Sequence, residues 1–228
     1  MRPVRKQTFR EQIVEELRGA IMNGQLPPGS AVVESDLAVR FGVSRGPLRE
    51  ALRHLIEEGL LVTVPYTGTH VISLSVEDIH EIFSLRTELE IFAFKLIWEN
   101  RTPAFSQEMI IRHERLLNCI DSGNDEGSIK AELALHSYVY EACGHKILFD
   151  IWRGLRGKLQ LYWAAHHRAH ERRGPKRESH DNYVRLAMGA DFGMMTAEIR
   201  GHMLQGFERT EAFLMDVNRG ANTSLVSR

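Results

Sequence analysis

The stretch GVSRGPLREALRHLIEEGLL, residues 42–61, decides the fold of the first part of this chain. Gly42-Val43-Ser44 is too short for anything but a tight turn. Ser44 stands at an N-cap position, and Pro47 falls in the first helical turn, where a missing N–H costs nothing. Leu48, Ala51, Leu52 and Leu55 then recur at helical spacing up to about Glu58. Upstream, ESDLAVRFG (34–42) predicts a shorter helix, with Ser35 as its N-cap and Leu37, Ala38 and Phe41 on its apolar side. Earlier still, Ile13, Leu17, Ala20 and Ile21 form one apolar stripe, ended by NGQLPPG (23–29). Downstream, LLVTVPYTGTHVISLS (60–75) is β-branched and alternating, and predicts two strands with Tyr66-Thr67-Gly68-Thr69 at the tip. Helix, short helix, tight turn, helix and hairpin, in that order, make a winged helix-turn-helix.

From Ser75 the pattern is helical. Segments are expected up to Asn100 and at about 106–121, 126–143, 145–170, 177–189 and 191–216. The expected class is mainly α: a winged helix-turn-helix over residues 1–75, then an all-helical bundle over 76–228. The run HHRAHERRGPKR (166–177) is expected to be a solvated helix end and loop.

Composition narrows the function classes. The chain has 228 residues, 43% hydrophobic and 26% charged, as in ordinary globular proteins. No apolar stretch reaches the ~18 residues of a membrane span. The basic start, MRPVRKQTFR, is followed by no apolar segment of a secretory signal. Cys119 and Cys143 lie far apart in sequence and are read as small core residues in a reducing cytoplasm. Net charge is −1, and residues 1–75 hold nine basic against eight acidic side chains. Any interaction with nucleic acid must therefore rest on where particular arginines lie.

Two sets of residues carry chemistry. Arg45 and Arg49 lie one turn apart at the start of the second helix of the pair, on the side away from Leu48 and Leu52. In a helix-turn-helix this end enters the major groove, where an arginine fork can bond guanine O6 and N7 together. Ser44 can meet a phosphate, Arg40 can grip the backbone, and Gly68 permits a close approach of the hairpin tip to a minor groove. The competing reading is a solvated helix face, with Glu50 pairing Arg53 or His54. In the helical part, Glu132 and His136 are spaced i, i+4 on an apolar face. His180 precedes Tyr183 and Val184, and His202 follows Met195 and Ile199. Three inward histidines and a carboxylate can close around one divalent ion, although a lone inward histidine is more often a hydrogen-bonded core residue. An open-sided site of this kind could also activate water, which leaves a metal-dependent hydrolase as the alternative, though no spare carboxylate stands at a convincing spacing for a general base. Arg86, in the first helix of this part, can clamp a carboxylate bidentately or form a structural salt bridge to Glu88, Glu90 or a neighbouring helix.

Residues 9–74 resemble the DNA-binding module of the GntR superfamily of bacterial transcription regulators, through LPPGS, ESDLAVRF and GVSRGPLREALRHLIEEGLL. Gly46 and Leu48 depart from the family's usual threonine and valine. The helical part is similar to the FadR-type effector domain, the FCD domain. The elements carrying that likeness are Arg86-x-x-Leu89-Glu90, Glu132-x-x-x-His136, Ser179-His180 and His202. Glu132 stands for the usual aspartate and His145 for a common asparagine. The resemblance implies that Arg45 and Arg49 read an operator, supported by Arg40, Ser44 and Gly68. It implies that Glu132, His136, His180 and His202 hold zinc, nickel or manganese, with zinc the first choice, at the floor of an effector pocket. It also implies a homodimer on a palindromic double-stranded operator, a small carboxylate effector and repression.

Overall fold

The computed structural model describes residues 8–73, 75–170, 175 and 177–226. Two compact units emerge from the internal contacts: Met1–Ser73 with Arg153–Leu161, and Leu74–Trp152 with Tyr162–Arg228.

In the first unit, α1 (Phe9–Met22) opens with a capping box in which Thr8 and Glu11 bond each other's backbone N–H. It buries Ile13, Val14, Leu17, Ala20 and Ile21. Two helices follow, α2 (Glu34–Phe41) and α3 (Arg45–Glu57), and the latter buries Leu48, Ala51, Leu52 and Leu55. Gly42 ends α2 at φ 62°, a left-handed conformation that glycine adopts without steric penalty and that turns the chain into α3 within three residues. Arg18 of α1 bonds Glu58 through two nitrogens, at 2.7–3.2 Å, and ties α1 to the end of α3.

The hairpin is β2 (Leu61–Val64) and β3 (Gly68–Val71). A third strand, β1 (Ala31–Val32), makes the sheet order β1-β3-β2, antiparallel throughout. The sequence reading missed β1, because two residues carry no periodicity. It also misplaced a cap: α2 begins at Glu34 with Val33 as N-cap, and Ser35 lies inside the helix, donating to Asp36 Oδ1. The helix starts as soon as the β1–β3 ladder ends, two residues earlier than a cap at Ser35 allows. At the tip Tyr66 takes φ 67° and is fully exposed, and Gly68 takes φ 93°.

The second unit is helical: α4 (Val76–Ile97), α5 (Pro103–Asp121), α6 (Asp125–Ala142), α7 (Lys146–His170), α8 (Asp181–Ala187) and α9 (Phe192–Val226). Part of α7, Arg153–Leu161, groups with the first unit. The main departures from expectation are at helix ends. Thr102 caps α5 three residues earlier than expected, with Pro103 at its first position, and α9 runs about ten residues further. Residues 171–174 and 176 of the His/Arg run lie outside the described residues, as do 1–7 of the basic start.

Arg101, after a 3-10 turn at Trp98–Asn100, secures the element that follows His180. Its guanidinium donates to the carbonyls of Trp98 (2.8 Å), Ala187 (2.5 Å) and Gly189 (2.9 Å) and covers the Trp98 ring. The Ala187 carbonyl is the last of α8 and that of Gly189 lies two residues beyond it, where no intrahelical donor remains. Hydrogen bonds to charged groups contribute about 1.5–3 kcal/mol each when their loss leaves a polar group unpaired. Arg101→Ala is expected to lower unfolding stability by about 2–3 kcal/mol in urea titration; an unshifted midpoint would mean that water replaces the guanidinium fully.

Candidate functional site

Glu132 and His136 come from α6, His180 from the last residue of a 3-10 turn before α8, and His202 from α9. One ligand atom from each lies within 4.8 Å of the others. His136 Nε2 faces His202 Nε2 at 3.2 Å, and His180 Nε2 stands 3.3 Å from Glu132 Oε1. The His136, His180 and His202 rings lie with centroids 4.7–5.3 Å apart. Helix α6 turns its carboxylate and imidazole the same way because they are four residues apart. A side chain accepting the Met194 N–H, that of Asp191, starts α9 and sets the register that brings His202 round.

The electrostatics suit a cation. Burial pushes the imidazolium forms of His136 and His202 far down, and neighbouring Arg86 and His180 add to it, so both rings are neutral near pH 7 with a lone pair to give. Burial raises the Glu132 carboxyl, but adjacent His180, His136 and Arg86 more than offset this and leave it low, hence ionised. Both ring nitrogens of His180 are buried and complete no hydrogen bond. An orphaned imidazole in a cluster of neutral nitrogens and one carboxylate is the donor set of a borderline divalent ion, so these residues fit a metal.

Behind them lies a group that the sequence reading quoted but gave no role in the metal centre. Glu90 of α4 is fully buried; its Oε1 faces His136 Nδ1 at 2.9 Å and accepts the Tyr183 hydroxyl at 2.6 Å, and its Oε2 accepts that of Tyr140 at 3.4 Å. Arg86, one turn earlier, has Nε 3.6 Å from Glu90 Oε2, while Glu88 pairs instead with Arg200. The Arg86 guanidinium also lies 5.1 and 5.8 Å from the Trp152 and Trp163 rings, and its Nε and Nη2 have no hydrogen-bond partner. Burial drives the Glu90 carboxyl up; Arg86, Tyr183, His202 and Tyr140 counter part of that rise. The signal in the sequence was the i, i+4 spacing of Arg86 and Glu90 on the face of α4 that otherwise buries Ile79, Ile82, Phe83, Ala93 and Phe94.

In the first unit Arg40, Ser44, Arg45 and Arg49 are all exposed at the α2–α3 corner, and Gly68 is exposed on the hairpin. Ser44 occupies the N-cap of α3 with no side-chain cap bond, so its hydroxyl is available. Among the described residues Arg45 has no partner, whereas Arg49 Nε bonds Glu34 Oε2 at 2.9 Å. Glu50 pairs with neither Arg53 nor His54; His54 faces Glu58 at 3.2 Å.

Known proteins resemble this one in both parts. The family model of bacterial regulatory proteins, gntR family, matches residues 9–71, and that of the FCD domain matches residues 81–203. The chain is 37% identical over 105 residues to YdhC, an uncharacterized HTH-type transcriptional regulator of Bacillus subtilis (strain 168), covering 46% of each chain. It is 28% identical over 152 residues to the gluconate operon transcriptional repressor of Bacillus licheniformis, covering 64% of this chain and 60% of that one. The chain thus spans about half to three fifths of the length of these two relatives. The solved structure of E. coli McbR/YncC shares the fold, with a TM-score of 0.73 at 23% identity over 90% of this chain and 97% of that chain. Together these matches place the chain in the gntR family of bacterial regulatory proteins, with an FCD domain as its helical part.

Proposed function

We propose that the chain is a ligand-responsive transcription regulator. It binds a palindromic double-stranded operator as a homodimer and senses a small organic or sugar acid through a metal-containing helical domain. Arg45 and Arg49 read bases, and Arg40, Ser44 and Gly68 hold the DNA backbone. Glu132, His136, His180 and His202 hold the metal, zinc first, with nickel or manganese as alternatives. When bound, the ion supplies a Lewis-acidic centre for a ligand carboxylate. Arg86 clamps that carboxylate. The observation that carries the sensing role is the buried Arg86, which is ion-paired with Glu90 at 3.6 Å yet has Nε and Nη2 completing no hydrogen bond, beside a four-residue ligand cluster. Buried donors that complete no hydrogen bond are costly, and a ligand carboxylate would fill them.

Exposed apolar side chains support the dimer: Leu85, Phe92 and Leu96 share one face of α4, and Ile147 and Ile151 share one of α7. The Phe92 ring lies edge-on to His145, just before α7. Repressor names among the relatives favour repression. No helix among the described residues is long and apolar enough to cross a membrane, which is in keeping with a cytoplasmic regulator. The hydrolase reading lacks a base: Glu132 belongs to the ligand set and Glu90 is occupied by His136 and two tyrosines.

Two measurements test this reading. Selection from random DNA should enrich a palindrome with half-sites about one helical turn, 34–36 Å, or a multiple apart. Elemental analysis of the purified protein should find one divalent ion per chain. No enriched sequence would sink the DNA role, and no metal after incubation with zinc, nickel or manganese would sink the sensor role.

A further inference from the structure

We propose that Glu90 is the positioning residue of the metal centre: it accepts the His136 Nδ1–H and so commits His136 Nε2 to the ion. This rests on the metal reading above. A neutral imidazole carries its proton on either nitrogen, and a ligating ring must carry it on the nitrogen away from the metal. His136 Nδ1 sits 2.9 Å from Glu90 Oε1, while Nε2 faces the other ligand atoms, 3.2 Å from His202 Nε2. Among the described residues Glu90 is the one acidic side chain outside the ligand set that is ion-paired to any of the three imidazoles; Glu132, inside the set, faces His180 Nε2 at 3.3 Å.

Glu90 is itself held rigidly. The Tyr183 and Tyr140 hydroxyls donate to its two oxygens, and Arg86 flanks Oε2. The two hydroxyls and the Arg86 guanidinium present donors to Glu90, so its oxygens are placed to accept, and the His136 proton lies on Nδ1. The Trp152 ring stacks on Tyr140 at 4.7 Å and 2° and bonds the Ser137 hydroxyl, so the tyrosine cannot swing away freely. A buried ion pair by itself adds little net stability. What Glu90 supplies is direction: one of three histidines is preset from outside the ligand set, while His180, whose only approach to a carboxylate is to its fellow ligand Glu132 at 3.3 Å, adapts to the ion.

The test is cobalt(II) and zinc affinity, by competition with a chromophoric chelator, for wild type, Glu90→Gln and the double variant Arg86→Met/Glu90→Gln. The double variant removes both buried charges and covers the case in which an unpaired Arg86 unfolds the single one. Loss of a partner behind a ligating histidine lowers affinity about 10–100-fold, and that loss is expected in each folded variant. Independently of any variant, the cobalt-loaded wild type should show one slowly exchanging, paramagnetically shifted imidazole N–H proton, from His136. Wild-type affinity in a folded variant, or no protected ring N–H in the wild type, would overturn the role of Glu90 and leave the metal site standing. A wild type that binds neither ion would overturn both.

Discussion

His136→Ala is expected to lower zinc affinity by about 100-fold, and His136→Ala/His180→Ala to purify without metal. Four-ligand structural zinc sites gain about 10–16 kcal/mol in all, so one ligand accounts for roughly 3 kcal/mol, and each 1.4 kcal/mol is tenfold. His136 should sit at the upper end of that loss. It is the ring whose far nitrogen is already anchored, on Glu90 at 2.9 Å, so it enters the site with little orientation left to lose. Its removal also takes a donor from a fully buried carboxylate, so some thermal destabilisation should accompany it. Elemental analysis and calorimetric titration of the two variants beside the wild type check the expectation. Unchanged stoichiometry and affinity would remove His136 from the ligand set. In cells, the same variant should lose response to whichever carboxylate relieves repression, because its anchoring ion is gone.

Arg49→Ala should reduce affinity for the selected operator by about 1–3 kcal/mol, roughly 5–150-fold, while binding to scrambled DNA persists. Non-specific binding comes from phosphate neutralisation and depends steeply on salt, whereas discrimination comes from base edges. The Arg49 side chain is 62% exposed, and its bond to Glu34 uses Nε, which leaves the two terminal nitrogens without a hydrogen-bond partner among the described residues. The change should leave folding nearly untouched, since exposed ion pairs contribute about 0–1 kcal/mol. Anisotropy titrations at two salt concentrations separate the outcomes. Loss confined to the operator supports base reading. Equal weakening on all sequences, with a salt slope smaller by about one, places Arg49 on a phosphate instead.

The DNA-binding half was legible because its signals are short in range. Gly42 needed only a left-handed corner, and Leu48, Ala51, Leu52 and Leu55 needed only one helix to share a buried face. Strand β1 was not legible: its two residues form a strand only because His70 and Thr69 of β3 lie opposite them. The same tertiary constraint moved the start of α2 to Glu34 and left Ser35 without its expected task. In the helical part each ligand was recognisable as a polar residue on an apolar face, and the resemblance grouped them.

The sequence by itself therefore determined the order of the helices and of the hairpin, the exposed arginines of the corner and the four polar residues suited to a cation. Periodicity, caps and turn chemistry act within a few residues, so a linear reading captures them. Only the tertiary structure decided that those four donors converge within 4.8 Å, that Arg86 keeps idle nitrogens between two tryptophans, and that Glu90 stands behind His136. Glu90 and His136 are 46 positions apart, and Glu90 and Tyr183 are 93 apart. Contacts of that range depend on how whole helices pack around a shared core, and no local pattern in the chain records it.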